Sequence, residues 1–402
     1  MSKFARFAAS DLPRTAKVLS GAALLLALGF GVVIPVLTPF ARTFGANTLQ
    51  VGLVVSLFAA ARLFTSPFAS SIGRYLGERN AIVLGMAIVA VTTIGTALAP
   101  NLAVMIAARA SGGVGSAIFT VSAMNLLLST TPEHIRGRAA GLYQGGFLLG
   151  NMGGPALGGL LGGVSIYAPF YFYAGMLAIS AAFTFFMLPA RAVVLPTAAH
   201  RPPRPFREVI ADVRYQAACT IALGQGWVSF GIRNALIPIF VTEVLLLSTA
   251  WTGIAFALAA FAQTAALGPA GQASDRIGRR PIMIASGIVT GIAALAVPFS
   301  GNIWVLIAVL SGYGIGAAMQ GTAPTASVGD VTRGRGGQPV ALFTMMTDVG
   351  SILGPLVAGY LYDAWSMEAA FAVGAGLLLL GSVYSAFIPR TLDQEFKTGG
   401  TT

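Results

Sequence analysis

The sequence predicts an all-α polytopic membrane protein, with twelve transmembrane helices in two pseudosymmetric six-helix bundles around a central cavity. Three observations support this: the composition, the length of the apolar stretches and an internal duplication. Of the 402 residues, 56% are apolar and only 9% are charged, whereas roughly a quarter of the residues of a soluble domain are charged. The 24 basic and 13 acidic residues are too few to cover the soluble domains that this length would require. The composition therefore excludes a soluble enzyme and a disordered chain.

Twelve long apolar stretches define the predicted spans 1 to 12. The hydrocarbon core of a bilayer is about 30 Å thick, so each spanning helix needs roughly 20 residues. The stretches run over 17–40, 49–72, 81–99, 102–128, 138–163, 168–190, 216–241, 248–270, 281–299, 302–326, 338–362 and 367–388. Runs of this length with so few charges favour bilayer helices over the buried helices of a soluble protein.

The positive charges predict the orientation. Cytoplasmic loops of membrane proteins are enriched in lysine and arginine. If both termini are cytoplasmic, 20 of the 24 basic residues fall in inner segments and the outer loops contain Arg42 alone. The formal net charge of +11 is then explained by topology, so we expect a lipid bilayer and no nucleic acid as a partner.

The chain divides into five predicted segments. They are a cytoplasmic N-terminal tail (1–16), an N-terminal six-helix bundle (17–190), a cytoplasmic linker (191–215), a C-terminal six-helix bundle (216–388) and a cytoplasmic C-terminal tail (389–402). The linker is the longest polar segment between spans and contains several prolines and five arginines, which favour an extended connection.

The two halves repeat each other. The sequence GVGSA at 113–117 returns as GIGAA at 314–318, and Gly154-Pro155 returns as Gly354-Pro355. The offsets of 201 and 200 residues are nearly equal, which indicates a duplicated half. Duplicated halves are typical of secondary transporters, whose substrate site lies near the bilayer midplane at the interface of the repeats.

Two glycine-rich motifs lie in spans 4 and 5. Span 4 contains RASGGVGSA at 109–117, and Arg109 would lie roughly 12 Å below the outer surface. An arginine there is costly unless it faces water or a partner, and extension of the side chain to the outer surface is an alternative. The span 5 motif contains Gly150, Gly154, Pro155, Gly158 and Gly159. Its four-residue glycine spacing allows a neighbouring helix to approach closely, and the proline favours a kink.

A third motif recurs in the loops after spans 2 and 8. The second copy reads GQASDRIGRR at 271–280, and the first reads SSIGRYLGER at 70–79. The residues singled out are Gly271, Asp275, Arg276, Gly278, Arg279 and Arg280, with Arg74 and Gly77 in the first copy. Glycine permits a tight turn, and the acid and bases can form ion pairs that break and reform as the halves move. Simple topogenic charge is the alternative.

Together these motifs resemble the major facilitator superfamily, and within it the twelve-helix drug:proton antiporter family, over essentially the whole chain. The resemblance implies a monomer in the bacterial cytoplasmic membrane that exports small amphipathic compounds in exchange for protons. It also implies a part for Arg109 in proton coupling and an antiporter role for the span 5 motif. The first loop copy departs from the family pattern, because Arg74 stands where the family has an acid and Glu78 where it has a base. A charge-swapped latch is one reading of this difference.

Four ionisable residues lie within the predicted spans: Asp348, Arg109, Arg62 and Arg233. Intramembrane charges are functional candidates by default, with structural pairing as the alternative. Asp348 is the only acid deep in any span, roughly 15 Å from the inner end of span 11. We expect Asp348 to carry the proton and Arg109 to help set the coupling. Three arginines against one aspartate favour neutral, zwitterionic or anionic substrates over lipophilic cations.

The sequence contains no sign of other chemistry. It has no phosphate-binding Walker motif, and Cys219 is the only cysteine, which excludes an internal disulfide and a cysteine zinc cluster. We expect no cofactor, no metal and no enzymatic activity. The expected partners are a small-molecule substrate, protons and lipid. Proton-coupled uptake and a narrow-substrate metabolite carrier remain alternatives, and a non-transporting membrane receptor is a less favoured one.

Overall fold

The computed structural model describes residues 12–131, 135–189, 205–332 and 338–389. Within these ranges the chain is built from helices joined by short turns, and it contains no β-strand there. The predicted N-terminal tail, linker and C-terminal tail lie largely outside the described residues.

Twelve long helices, α1 to α12, follow the predicted spans in order. They are α1 Arg14–Arg42, α2 Thr48–Leu76, α3 Glu78–Ala97, α4 Leu102–Thr130, α5 Arg136–Val164, α6 Ala168–Met187, α7 213–244, α8 Thr249–Ile277, α9 Arg279–Ala296, α10 Ile303–Val331, α11 Gln338–Ala364 and α12 Met367–Ala386. A short helix, Phe206–Ala211, precedes α7. Among the described residues, eleven helices are individually long and apolar enough to cross a membrane.

The twelfth helix, α7, is not a regular α-helix. It consists of an α segment Val213–Gln225, a π segment Gly226–Ile232, an α segment Arg233–Ile239 and a π segment Phe240–Val244. No single segment is long enough to span a bilayer, but the four follow one another without a break. Predicted span 7 therefore exists as one mixed helix. π-helical turns are rare and are frequently found at functional sites.

The duplication extends to the ends of the helices. Asn101 caps α4 by accepting a hydrogen bond from a first-turn backbone N–H, and Asn302, 201 residues later, caps α10 in the same way. Gly77, between α2 and α3, has a φ of 81°, and Gly278, between α8 and α9, has a φ of 116°. Only glycine adopts such angles without strain. Capping and turn residues therefore repeat at the same offset as the motifs.

The helices form two compact units. The first contains Met1–Val33 and Ala61–His200, and the second contains Ile34–Ala60 and Arg201–Thr402. The second unit thus includes the hairpin tip, which we define as residues 34–60, where the end of α1 turns into the start of α2. The sequence-based division into bundles at 17–190 and 216–388 assigned this tip to the first bundle and remains a prediction.

Large apolar side chains are found both in the buried cores of the units and on their exposed surfaces. In the second unit, Trp227, Phe256 and Tyr313 lie in one buried cluster. On the outside, Phe186 is 78% exposed and Phe299 is 74% exposed. Extended exposed apolar surface is rare on soluble monomers. A lipid environment would cover these side chains, as the composition predicts.

Candidate functional site

In the first unit, α5 packs against α1 through a row of glycines. An added Cβ on Gly150 would lie 2.6 Å from the Leu24 carbonyl oxygen, and one on Gly154 would lie 2.5 Å from that of Leu28. Ordinary contact begins at 3.4 Å. Gly146 and Gly158 extend the row toward the carbonyls of Ser20 and Val32. The predicted close approach is therefore present, and it includes a glycine before the motif.

The second unit repeats this interface between α11 and α7. An added Cβ on Gly350 would lie 2.6 Å from the Trp227 backbone nitrogen. An added Cβ on Gly31 would lie 3.0 Å from Pro155 Cδ, and one on Gly231 would lie 2.9 Å from Pro355 Cδ. Each proline thus meets a glycine of the first helix of its half. These tight contacts require glycine because the partner atoms belong to backbone or to a rigid proline ring.

Arg109 of α4 is buried in the first unit, with 6% of its surface exposed. It interacts electrostatically with Tyr173 of α6, which is also buried. The Tyr173 ring in turn packs directly over Gly29 of α1. The Arg109 side chain therefore does not extend to an outer surface, and its interaction with Tyr173 links α4 and α6.

Arg62 of α2 is half-buried in the same unit. It interacts electrostatically with Tyr143 of α5, whose side chain is 1% exposed. Tyr143 also packs edge-to-face against Phe147, with ring centroids 5.2 Å apart. Each of the two intramembrane arginines of the first unit, Arg62 and Arg109, is thus associated with a buried tyrosine.

Arg233 lies in the second unit, directly after the first π segment of α7. Its guanidinium carbon lies 5.4 Å from the centroid of the Phe256 ring on α8. It also interacts electrostatically with Tyr313 of α10, whose hydroxyl is 2.8 Å from the hydroxyl of Ser229. Arginine, tyrosine, serine and an aromatic face therefore meet in one place.

Asp348 lies on α11 and is half-buried. Its neighbour Thr347 has a backbone carbonyl in direct contact with Gly226, the first residue of the first π segment. Asp348 is therefore one residue from the tightest approach of α11 to α7. It lies in the second unit with Arg233, whereas Arg62 and Arg109 lie in the first unit.

The second copy of the loop motif forms an ion-pair cluster between α8, α9 and α10. Arg279 at the start of α9 pairs with Asp275 in the last turn of α8, and its Nε donates to Asp330 Oδ2 at 3.3 Å. Arg280 donates to the carbonyl of Ala386 at 2.8 Å. Arg276 is exposed, and a Cβ on Gly271 would meet nothing within 4 Å. The acid and two of the bases therefore connect three helices and the end of α12.

The first loop copy is organised differently. Arg74 donates to Ser71 at 2.9 Å, and Glu78 accepts from Asn125 of α4 at 3.4 Å. Arg79 stacks over the Phe185 ring at 4.6 Å. Arg74 and Glu78 form no ion pair with each other in the described part of the chain. The charge-swapped latch at this loop stays a prediction.

The hairpin tip carries polar contacts that the sequence did not reveal. Arg42 pairs with Glu243 at the end of α7, with Nε–Oε1 and Nη2–Oε2 distances of 2.9 and 3.3 Å. Asp363 at the end of α11 accepts hydrogen bonds from the backbone nitrogens of Thr48 and Leu49, at 3.3 and 3.0 Å. The residues are separated by 201 and more than 300 positions, so no local pattern could have found these contacts.

A family model described as Major Facilitator Superfamily matches residues 19–248 and 219–400. The chain belongs to the major facilitator superfamily. It is therefore a membrane transporter and not an enzyme. Among the residues described, no group of three or more metal-ligating side chains is present.

Individual members of the superfamily resemble the chain over most of its length. The quinolone resistance protein NorA of Staphylococcus aureus strain COL is 25% identical over 396 residues, covering 89% of this chain and 92% of NorA. The synaptic vesicular amine transporter of Mus musculus is 28% identical over 280 residues, covering 68% of this chain and 52% of that protein. The expectations of a family member and of a transporter are confirmed.

Solved structures share the fold. A bacterial homolog of the human lysosomal transporter Spinster, in an inward-facing and unoccupied conformation, superposes with a TM-score of 0.70 at 17% identity, covering 96% of this chain and 98% of that one. The human organic anion transporter MFSD10 gives a TM-score of 0.65 at 19% identity, covering 92% and 99%. These likenesses support the predicted all-α transporter fold.

Proposed function

We propose that the protein exports small amphipathic compounds in exchange for protons by alternating access. The observation that carries this proposal is the similarity to the quinolone resistance protein NorA, which extends over 89% of the chain. A relationship of this length includes both halves of the transporter, and the name of that relative indicates resistance to quinolones, which export from the cell would provide. The protein would act as a monomer in the bacterial cytoplasmic membrane, with both termini in the cytoplasm.

Asp348 is the proposed proton carrier. It is the only carboxylate deep within a predicted span, and it is half-buried rather than enclosed. Water in the transport pathway would deliver and remove the proton. An intramembrane carboxylate that changes its charge alters the electrostatic energy of its surroundings. Protonation would therefore favour one conformation, and release of the proton would favour the other.

The proposed moving parts are the glycine-lined helix pairs, α1 with α5 and α7 with α11. Their backbones are in direct contact along several turns, so each pair would move as a rigid element. Tyr173 packs against α1 and interacts with Arg109, so it would couple the charge in α4 to the same pair. The ion-pair cluster around Arg279 would stabilise one state on the cytoplasmic side.

Energised cells expressing the protein test the proposal. They are loaded in turn with cationic, neutral and anionic fluorescent compounds, and export is followed with and without a protonophore. We expect export of at least one compound, stopped by the protonophore and by Asp348→Asn, while the exposed-residue control Glu208→Gln exports as the wild type does. Accumulation instead of export would favour the uptake alternative. Normal export by Asp348→Asn would remove that residue from the proton pathway.

A further inference from the structure

A polar cluster in the second unit lies against the irregular part of α7. Ser229 and Tyr313 are almost fully buried and share a hydrogen bond of 2.8 Å. Arg233 follows Ser229 by four residues, interacts electrostatically with Tyr313 and lies 5.4 Å from the Phe256 ring. Three helices, α7, α8 and α10, thus contribute side chains to one small region.

The backbone that presents this cluster is both unusual and firmly held. Ser229 lies inside the π segment Gly226–Ile232, and Arg233 begins the α segment that follows. Gly226 packs on the Thr347 carbonyl and Gly231 on Pro355, so α11 supports both ends of the π segment. π turns recur at functional sites, and binding groups are most effective on rigid elements.

The charge of Arg233 is not neutralised within the described chain. The guanidinium forms no ion pair with a carboxylate there, and its Nε is buried without a hydrogen-bond partner. The side chain nevertheless remains partly exposed. An intramembrane cation is costly unless it meets an opposite charge or water. The site therefore has a positive charge with an unpaired donor on a partly exposed residue, next to a tyrosine and a serine hydroxyl.

We propose that Arg233, together with the hydroxyl of Tyr313, binds a carboxylate group of the transported compound. A guanidinium can donate two parallel hydrogen bonds to a carboxylate, which adds both strength and orientation. Ser229 positions the tyrosine hydroxyl, and the rings of Phe256 and Trp227 provide apolar surroundings for the rest of the molecule. This inference rests on the proposed function, and it narrows the substrate to amphipathic compounds with an acidic group.

Equilibrium binding to the full-length protein in lipid nanodiscs tests the inference. The probes are 1-pyrenebutyric acid and its methyl ester, which differ in the carboxylate alone, and empty nanodiscs correct for partition into lipid. We expect the wild type to bind the acid more tightly than the ester. Arg233→Gln should raise the Kd of the acid by about tenfold to a hundredfold, the usual effect of losing a charged hydrogen bond, and change the Kd of the ester less than about twofold.

Further variants separate binding from folding. Arg207→Gln removes the same charge from an exposed position and should leave both Kd values unchanged. Tyr313→Phe keeps the ring and removes the hydroxyl, and should weaken the acid alone, by about threefold to tenfold. If Arg233→Gln does not yield a monodisperse protein, Arg233→Lys and Tyr313→Phe decide the question. Arg233→Lys keeps the charge without the planar donors, so an intermediate weakening of the acid alone is expected.

Equal weakening of the acid and the ester by these variants would overturn the inference, because Arg233 would then be structural. Unchanged binding of the acid, or a wild type without preference for the acid, would overturn it as well. The proposed export is tested separately, by following both probes in cells. Cells that export neither probe, although the protein binds the acid through Arg233, would contradict export but not the binding site. Export of both probes without an effect of Arg233→Gln on the acid would contradict the binding site alone.

Discussion

Substitution of a single glycine tests the packing between α1 and α5. In Gly154→Ala the new methyl group would lie 2.5 Å from the Leu28 carbonyl oxygen and 2.8 Å from Gly31 Cα. The first distance is about 0.9 Å short of ordinary contact at 3.4 Å, and both neighbours are backbone atoms that cannot turn away. Overpacking of this kind costs about 1–3 kcal/mol. The helices must separate locally, so we expect lower stability and slower export.

Gly153→Ala provides the matched control. Its methyl group would meet Leu28 Cδ1 at 3.6 Å, which is ordinary contact with a flexible side chain. Both variants replace glycine by alanine inside α5 and gain the same helix propensity of about 1 kcal/mol. The difference between them therefore isolates the contact with α1.

Thermal unfolding in detergent, followed by fluorescence-detected size exclusion, measures this difference. We expect the apparent Tm of Gly154→Ala to lie roughly 2–6 °C below that of Gly153→Ala, from 1–3 kcal/mol at about 2 °C per kcal/mol for a large chain. Export by Gly153→Ala should resemble that of the wild type. Equal Tm values for the two variants, or a lower value for Gly153→Ala, would refute the close approach at Gly154.

The polar contacts at the ends of the helices lead to three further predictions. A double-mutant cycle with Arg42→Gln and Glu243→Gln should give a coupling of about 0.2–1 kcal/mol that decreases with added salt, because both groups are partly exposed. Asp363→Ala removes the acceptor for two backbone N–H groups at the start of α2 and should cost about 0.5–2 kcal/mol in the unfolding free energy. Asp330→Asn in the wild type should lower the unfolding free energy by about 1 kcal/mol. The same substitution in the Arg279→Gln variant should lower it little further, since Asp330 and Arg279 form one pair.

The spans and the duplicated glycine motifs could be predicted because they depend on local pattern. Apolar length identifies a span without knowledge of its neighbours, and four-residue glycine spacing predicts a smooth helix face wherever the partner lies. The sequence could not identify α1 as the partner of α5, and it therefore missed Gly146 as part of the row. That assignment depends on which carbonyls face the glycines.

The irregular course of α7 could not be predicted. The segment 226–232 is apolar apart from Ser229 and contains two glycines, which is compatible with an ordinary α-helix. Its π conformation places Ser229 beside Tyr313, 84 residues away. The intramembrane arginines could be identified because a charged side chain in the bilayer is unfavourable in free energy. Their tyrosine partners could not, since these lie on helices distant in the sequence.

The two loop motifs show that ion pairs cannot be predicted from the spacing of charged residues alone. Asp275 lies in the last turn of α8 and Arg279 begins α9, and the two side chains form an ion pair across the turn at Gly278, whose φ is 116°. Arg74 and Glu78 have the same four-residue spacing across the corresponding turn at Gly77, whose φ is 81°, but within the described residues they form no ion pair with each other. Arg74 donates to Ser71 instead, and Glu78 accepts from Asn125 of α4, so the four-residue spacing alone does not predict which of the two pairs forms.

The most direct test of the account measures exchange in purified form. The protein is reconstituted into liposomes with an imposed pH gradient, and movement of a fluorescent compound is recorded together with the internal pH. We predict that the compound moves against the direction of proton flow, that this stops when a protonophore collapses the gradient, and that Asp348→Asn binds the compound without responding to the gradient. Movement at a rate independent of the gradient, or in the same direction as the protons, would contradict proton-coupled export.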